Sequence, residues 1–523
     1  MSSQEDHVPF SDSPTRSWIL ELPAELLHTI FSYLDIRDVL AARRTCSILA
    51  SVGIDHFGNE VPLVYHREKF RALKHIARHP ALAKRMRSLF YVVDRFHELS
   101  FEEWDERRVN HEPLYLRKFL DEVSDTHDPE IVSQVMSNNR EARAAKLAAV
   151  PKEDLQDGYH AFLAICHVQV KIKDTGYDYG CLYSFFRGCC KIREVTIVSQ
   201  VHCDRRIGAR YTAFDRASIL PDQDVTWSDA GADQVCALAH AVERSGLKLD
   251  SLTIAGISHA IFDRSIDRGN ATSYALRALV RPLRRFRLLI QAWPPEAFRG
   301  SQELPESESV DADTLLAVRL ESVSVFEEGH ARKVLAEARE LRVLKLELPQ
   351  WNPNGGFAKY VRLDRALRDI HFPHLYEIAC SQCAIKGDWL VDFILRHKAT
   401  LRRISFAHMF LAKVRPSWRD VFTRMSCQLP HLHKLNLSSE FPRKHRQPIV
   451  FEYASSTASS SYSKALEEFV IQGGTYPSED LISESDTEES DDDLLYGLLD
   501  DDLPPDDPKL DYESDEYDEY IEG

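Results

Sequence analysis

The chain has 523 residues, of which 44% are hydrophobic and 28% are charged, so it is long enough to bury one or more sizeable cores. Its net charge of −17 comes from residues 479–523, which hold 21 acidic residues and one lysine. The remaining residues carry 64 basic and 61 acidic side chains, so the body is nearly neutral. This balance argues against a nucleic-acid-binding protein, which needs a clustered basic face.

The sequence shows no segment that would insert into a membrane. No apolar run approaches the roughly twenty residues that a membrane-spanning helix requires. The first fourteen residues are polar and acidic, unlike a signal peptide. The ten cysteines lack the spacing of a disulfide framework, which is typical of reduced thiols. We therefore expect a cytoplasmic or nuclear protein that binds neither a membrane nor a nucleic acid.

An apolar stretch at residues 22–49 predicts two or three short helices. Pro23 suits the first position of a helix, because its missing N–H leaves no donor unpaired. Asp35 is a candidate N-cap for a second helix, with Asp38 in its first turn, where negative charge is favoured. The apolar residues of the first helix recur with helical spacing and form a wide stripe: Leu22, Leu26, Leu27, Ile30, Phe31 and Leu34.

This stretch, LPAELLHTIFSYLDIRDVLAARRTC, resembles the F-box, the helical motif through which a substrate receptor docks on the adaptor of a Skp–cullin–F-box ubiquitin ligase. The motif would occupy residues 18–62. Many F-boxes carry a tryptophan after the cysteine, whereas Ser47-Ile48-Leu49 follows it here. The alternative is an ordinary three-helix subdomain packed on its own chain. The resemblance implies that nine residues divide between the core of the motif and the adaptor interface: Leu22, Pro23, Leu26, Leu27, Ile30, Phe31, Leu34, Val39 and Leu40.

Residues 66–89 predict a basic amphipathic helix. Phe70, Leu73 and Ile76 keep helical spacing, and basic residues fill the other face. A helix of this kind can bind a membrane surface or a partner. The composition favours a solvated face instead: His66, Arg67, Lys69, Arg71 and Lys74.

A third pattern recurs from Met86 onward, in which apolar residues stand at positions i, i+3 and i+5. Helical patterns separate several of these segments, as at residues 387–398 and 418–425. Strands that alternate with helices predict an α/β fold. Ten segments follow the pattern, beginning at Met86, Ile192, Leu249, Leu283, Leu320, Leu341, Leu375, Leu401, Leu432 and Leu466.

The body at residues 63–475, a helical connector followed by these segments, resembles an irregular leucine-rich-repeat solenoid of strands and helices. In such an array each unit buries its apolar face against its neighbours. The spacing is irregular, and the full repeat consensus is met only at Cys383. The alternative is a non-repetitive α/β domain with buried parallel strands, which would show the same apolar pattern.

Both ends of the chain are expected to be disordered, at residues 1–17 and 476–523. The C-terminal segment has too few apolar groups to offset its ordering entropy. Three serines there have an acidic residue three positions on, which makes them candidate sites for an acidophilic kinase: Ser483, Ser485 and Ser490. A purely solubilising acidic tail is the alternative.

The sequence predicts no catalytic centre and no cofactor. It contains no phosphate-binding loop, no G-x-S-x-G elbow and no H-E-x-x-H motif. Cys380 and Cys383 have the C-x-x-C spacing of a zinc site, and Cys427, His431 and His433 follow later. The first two cysteines fall at strand positions, where a small buried side chain suffices, so we expect packing rather than metal binding.

The resemblance implies a non-catalytic subunit of a ubiquitin ligase. The F-box would bind a Skp-type adaptor and through it a cullin, while the body presents an unidentified protein substrate. Two alternatives remain. One is a scaffold that binds the adaptor without delivering substrates, and the other is an enzyme with a site in residues 160–475 that carries no recognisable motif.

Overall fold

The computed structural model describes residues 18–34, 36–56, 58–110, 150–199, 231–262, 271–290, 322–348, 360–413, 415–443, 446–451 and 459–477, with the single residues 137, 145 and 219. The two predicted disordered ends, apart from residues 476 and 477, lie outside this part of the chain. The three candidate phosphorylation sites, Ser483, Ser485 and Ser490, lie outside it as well.

The N-terminal unit consists of short helices. A 3-10 turn at Trp18–Glu21 precedes α1 (Ala24–Ser32), α2 (Ile36–Arg43) and α3 (Ser47–Ile54). Pro23 is the N-cap of α1 and not its first helical residue, and its carbonyl oxygen accepts the first backbone hydrogen bonds of the helix. The second helix starts directly after Asp35, which itself lies outside the described residues. Asp38 is in the first turn of α2, as predicted.

In the described part of the chain, ten strands follow this unit and form one sheet, in which they lie in the same order as in the sequence. Strands one to nine are parallel, and the tenth pairs antiparallel with the ninth. Parallel strands need a crossover between neighbours, and the connecting segments contain helices. The strands are β1 (Glu60–Val64), β2 (Ser88–Val92), β3 (Glu194–Val198), β4 (Ser251–Ile257), β5 (Arg285–Ile290), β6 (Val343–Glu347), β7 (Glu377–Ile385), β8 (Arg403–Leu411), β9 (Lys434–Arg443) and β10 (Arg446–Phe451).

The helices of the body supply most of the remaining core. One hydrophobic cluster runs from Val61 to Val470 and joins all nine parallel strands to the helices beside them. The helices are α4 (Arg67–Arg78), α5 (Pro80–Ala83), α6 (Phe101–Asn110), α7 (Lys152–Asp174), α8 (Tyr177–Gly188), α9 (Ala232–Ser245), α10 (Ala271–Val280), α11 (His330–Leu335), α12 (Leu363–Ala366), α13 (Gly387–Arg396), α14 (Trp418–Met425) and α15 (Ser459–Gln472).

Eight of the ten segments with the i, i+3, i+5 pattern lead into β2–β9, which confirms the α/β class and the parallel sheet. Two segments were wrongly predicted as strands. Leu466 lies within α15, and residues 322–327 are helical, so the segment that starts at Leu320 is not a strand where the structure describes it. The i, i+3, i+5 spacing also fits one face of a helix, which explains both errors. Residue 62, the predicted end of the first domain, lies inside β1.

A second, smaller core covers part of the opposite face of the sheet. Successive side chains of a strand point to opposite faces. On β2, Tyr91 belongs to the large cluster, whereas its neighbour Val92 packs with Trp104 of α6 and Phe162 of α7. The residues that pair in register with Val92 across the first five strands are apolar, namely Val64, Val198, Ala255 and Leu289.

The same row of the sheet changes character after β5. It continues in register with Glu347, Ser381 and Ala407, which are half-buried. Because these side chains are charged or small, they do not extend the apolar surface on which α6 and α7 pack. Along this row the face opposite the main core is therefore covered at β1–β5 and more polar at β6–β8, while charged residues such as Glu194 and Arg285 stay exposed elsewhere on β3 and β5.

Candidate functional site

The candidate site is the surface of α1, which carries two adjacent apolar stripes. Leu27 and Phe31, one turn apart, are each 2% exposed. Leu26 and Ile30 are also one turn apart, but they are 50% and 36% exposed. Tyr33 continues the second stripe at the C-cap and is 85% exposed. Residues at i, i+4 and i+7 lie on one helix face, so these three side chains form an apolar ridge facing solvent.

The buried stripe of α1 is held by the other two helices. Leu27 and Phe31 pack against Val39 of α2 and against Leu49 and Val52 of α3. The partly buried residues packed around this cluster complete the small core: Ile19, Leu22, Leu34, Ala42 and Cys46. The unit therefore seals its own core with one stripe of α1, and the other stripe is left exposed by the described residues.

The structure divides most of the nine predicted adaptor-binding residues between these two environments. Leu27, Phe31 and Val39 belong to the core, and Leu22 and Leu34 pack at its margin. The remaining described side chains, Pro23, Leu26 and Ile30, face solvent. The side chain of Leu40 lies outside the described part of the chain.

The sequence interpretation missed two exposed apolar residues of this unit, Tyr33 and Ile48. Their signal was present: Tyr33 follows Leu26 and Ile30 at helical spacing, and Ile48 lies beside the buried Leu49. Within the described residues, seven large hydrophobic side chains are exposed, and four of them belong to this unit: Leu26, Ile30, Tyr33 and Ile48. Exposed apolar surface of this kind marks interaction sites when it is concentrated in one place.

The end of α3 is fixed both to α1 and to the body. The rings of His28 and His56 contact each other, with Nδ1 of His28 3.2 Å from Nε2 of His56. Burial lowers the pKa of His56, and the neighbouring His28 lowers it further. Asp55, between these groups, forms an ion pair with Arg85 at the start of the body. The helical unit is therefore attached to the sheet by a charged contact as well as by the chain.

The two cysteines with the C-x-x-C spacing pack inside the sheet. Cys380 and Cys383 are both buried on β7, and the sulfur of Cys383 lies 3.1 Å from that of Met409 on β8. Burial raises the pKa of Cys380 to about 12, which disfavours the thiolate that a metal would bind. The described residues contain no group of three or more histidines, cysteines or carboxylates placed to hold a metal ion. None of the described helices is long and apolar enough to cross a membrane.

A three-helix unit with a sealed core and an unburied apolar ridge has the form of a small protein-docking module. The family model described as F-box-like matches residues 19–56. Residues 19–56 are therefore an F-box-like domain, which supports an F-box protein, and the resemblance predicted from the first helices is confirmed. F-box domains generally bind Skp-type adaptors. No curated protein was found to match the chain.

Proposed function

We propose that this protein is the substrate-recognition subunit of a Skp–cullin–F-box ubiquitin ligase. The observation that carries the proposal is the unburied ridge of Leu26, Ile30 and Tyr33 on the F-box-like domain. An amphipathic helix that inserts such a ridge into a groove on a partner is a recurrent mode of protein recognition. Removing a Leu or Ile side chain fully from water contributes about 1.5–3 kcal/mol to the free energy of binding. A few such side chains can therefore hold an adaptor.

The body is proposed to be an irregular leucine-rich-repeat array. This interpretation is supported by the order of the strands, because each of β2–β8 pairs only with the strands immediately before and after it. It is also supported by a row of buried residues in register across the sheet, one from each of the nine parallel strands: Leu63, Tyr91, Ile197, Ile254, Leu288, Leu346, Cys380, Phe406 and Leu437. A non-repetitive parallel fold usually reverses its strand order once, and this sheet does not.

The protein substrate is proposed to bind the more polar half of the sheet face, at β6–β9. Lys345, Arg403 and Lys434 are exposed there, whereas on β1–β5 the apolar row that includes Val92 packs with residues of α6 and α7. Lys345 also forms an ion pair with Glu377 of the next strand, with 2.8 Å between nitrogen and oxygen. A surface with both charges and hydrogen-bonding groups suits specific recognition of a polar protein segment.

Under this proposal the chain itself is not an enzyme and requires no cofactor. The catalytic cysteine and the chemistry of ubiquitin transfer would belong to other proteins of the complex. The nine described cysteines are free thiols, which fits the proposed cytoplasmic or nuclear location.

The test is co-purification of a Skp-type adaptor and a cullin with the full chain. Leu26→Asp plus Ile30→Asp should abolish adaptor binding, because two charges would enter the proposed interface. A matched control is Val170→Asp plus Tyr274→Asp, since both residues are exposed apolar side chains outside the F-box-like domain. The control should retain the adaptor, and both variants should keep the wild-type melting temperature.

The outcomes separate the alternatives. Adaptor binding by a folded Leu26→Asp, Ile30→Asp variant would refute the docking surface. Capture of the adaptor without a cullin would favour a scaffold that does not deliver substrates for ubiquitination.

A further inference from the structure

The helical side of the body contains a cleft lined by positive charge. It lies between the C-terminal halves of α4 and α8 and has a volume of about 350 Å³. Its walls carry the cations Lys74, Arg78 and Arg187 together with the polar side chains Tyr183 and Ser184. The cleft lies outside the F-box-like domain and is not part of the proposed substrate surface.

The shape of the cleft follows from a close approach of the two helices. Gly188, the last residue of α8, lies so near Ala77 of α4 that an added Cβ would be 2.7 Å from the Ala77 carbonyl oxygen. These two small residues line the cleft, together with the longer cationic side chains of both helices.

The part of the chain that the structure describes gives these cations no carboxylate partner. Among the described residues, no acidic side chain lies within ion-pair distance of Lys74, Arg78 or Arg187. The ammonium group of Lys74 instead lies 4.8 Å from the ring centre of Tyr177, and Arg187 is 3.5 Å from the hydroxyl of Tyr183.

The acidic residues of both helices are away from the cleft. Glu68 is in the first turn of α4 and Asp178 in the first turn of α8, whereas the cleft is at the last turns. A cation in the last turn offsets the negative end of its own helix, which accounts for one charge on each helix. It does not account for the convergence of three charges on one cleft, which favours an anionic ligand.

We propose that this cleft binds the acidic C-terminal segment of the same chain, with residues 500–523 as the occupant. These residues contain twelve acidic side chains and one lysine, in a chain whose body is otherwise nearly neutral. The charge of the segment therefore complements the cleft, and the segment is present wherever the cleft is. The inference does not depend on the proposed ligase function.

The distance allows this contact. Nine parallel strands at about 4.8 Å spacing place the two ends of the parallel sheet about 40 Å apart. The 46 residues after Pro477 can extend to about 150 Å at about 3.3 Å per residue. The serine cluster at residues 483–490 begins too close to Pro477 to cross the sheet without near-complete extension. Residues 500–523 are far enough along the chain from Pro477 to reach the cleft without full extension. They are therefore the proposed occupant.

The experiment uses the full chain and a carbodiimide, which joins a lysine amine directly to a carboxylate that contacts it. Equal amounts of nitrogen-15-labelled and unlabelled chain are mixed, and the joined peptides are identified by mass spectrometry. We expect Lys74 to be joined to residues 500–523 of its own chain. Raising the salt to roughly 1 M should suppress the product, because charged surfaces are then screened within a few ångströms.

A pair of variants tests whether the cleft is responsible. Arg78→Glu plus Arg187→Glu should lower the yield of the Lys74 product by about tenfold, which corresponds to about 1.4 kcal/mol of binding. The control, Arg339→Glu plus Lys398→Glu, makes the same change in net charge at exposed residues elsewhere. It should leave the yield unchanged.

Three results would overturn the proposal. The first is an equal loss of product in both variants, which would indicate a general charge effect. The second is a product that joins labelled to unlabelled chain, which would indicate binding between molecules. The third is the absence of any product between Lys74 and residues 500–523. Thermal melting of each variant confirms that it is folded.

Discussion

Leu26 and Leu27 are neighbours on α1 with opposite environments: Leu27 packs against Val39 of α2, and Leu26 is half exposed. Consecutive residues of a helix are about 100° apart around its axis, so one of them can enter the core while the other faces away. The pair therefore separates the residues that fold the F-box-like domain from those that remain for a partner.

This separation predicts different effects of the same truncation. Leu27→Ala should lower the free energy of unfolding of the F-box-like domain by about 2–5 kcal/mol, because it leaves a cavity in a small core. Leu26→Ala should change it by less than about 0.5 kcal/mol, because the side chain is already in water. Hydrogen exchange of the amides of α1–α3 measures both. Similar losses of protection in the two variants would contradict the assignment of Leu26 to the surface.

The close contact of α4 and α8 predicts a steric effect at one glycine and not at another. Gly188→Ala should destabilise the protein by about 1–3 kcal/mol, because its Cβ would collide with the backbone of Ala77. Gly180→Ala, in the same helix, has nothing within 4 Å of its added Cβ. It should be neutral or stabilising, since alanine favours helix more than glycine does. Urea unfolding of both variants provides the comparison.

His397 predicts a pH dependence of stability. Its Nδ1 lies 2.7 Å from the Phe393 carbonyl oxygen and donates to it, and its Nε2 accepts from the backbone N–H of Phe372 at 3.1 Å. The bond accepted by Nε2 requires the neutral ring, whereas the bond donated by Nδ1 can also form from the protonated ring. Burial lowers the pKa of His397 from 6.5 to about 4, so between these values the unfolded chain binds a proton that the folded chain does not. The stabilisation is therefore complete above pH 6.5 and is lost as the pH falls toward 4.

The measurement is the urea midpoint between pH 7 and pH 4. His397→Gln should flatten the dependence, because glutamine does not titrate. His431→Gln, at an exposed position, is the matched control and should leave the dependence unchanged. A slope that is the same in all three proteins would show that other groups govern the acid sensitivity.

The hydrogen bonds at the N-terminus of α14 predict a smaller effect of mutation on stability. The hydroxyl of Ser417 accepts a hydrogen bond from the backbone N–H of Asp420, and the Asp420 carboxylate accepts one from the backbone N–H of Ser417 at 2.9 Å. Ser417→Ala should cost about 1 kcal/mol, whereas Ser417→Thr should retain most of the stability. The hydrogen bonds from Ser417 lower the pKa of Asp420. The contribution of Asp420 is therefore present at neutral pH and is lost at acidic pH, which chemical unfolding at both values would detect.

The sequence predicted the F-box-like helices and eight of the strands because both rest on local periodicity. The row containing Leu252 and Leu344 was visible as a repeated i, i+3, i+5 pattern. The same reasoning failed at Leu466, since that spacing also suits a helix. It missed β1, where Pro62 interrupts the apolar pattern. Proline is tolerated there because β1 is the edge strand of the sheet.

The features that depend on distant contacts could not be predicted. No local pattern indicates that Trp104 and Phe162 would cover the valines of β1–β3. The two aromatic residues come from the long segment inserted between β2 and β3. The cleft at Gly188 is of the same kind, since it requires two helices separated by about a hundred residues. The different burial of Leu26 and Leu27 was predictable in part. The helix itself followed from the sequence, but which of its faces is buried depends on the packing of α2 and α3.

The uninterrupted order of the strands has a consequence for how the protein can change. Each junction between neighbouring strands is independent of the others, so a loop can lengthen without altering the pairing elsewhere, as the long segment between β2 and β3 already illustrates. Units can likewise be added or lost between existing ones while the N-terminal F-box-like domain stays as it is. Under the proposed function, such an architecture separates the evolution of what the protein captures from the evolution of where it is attached.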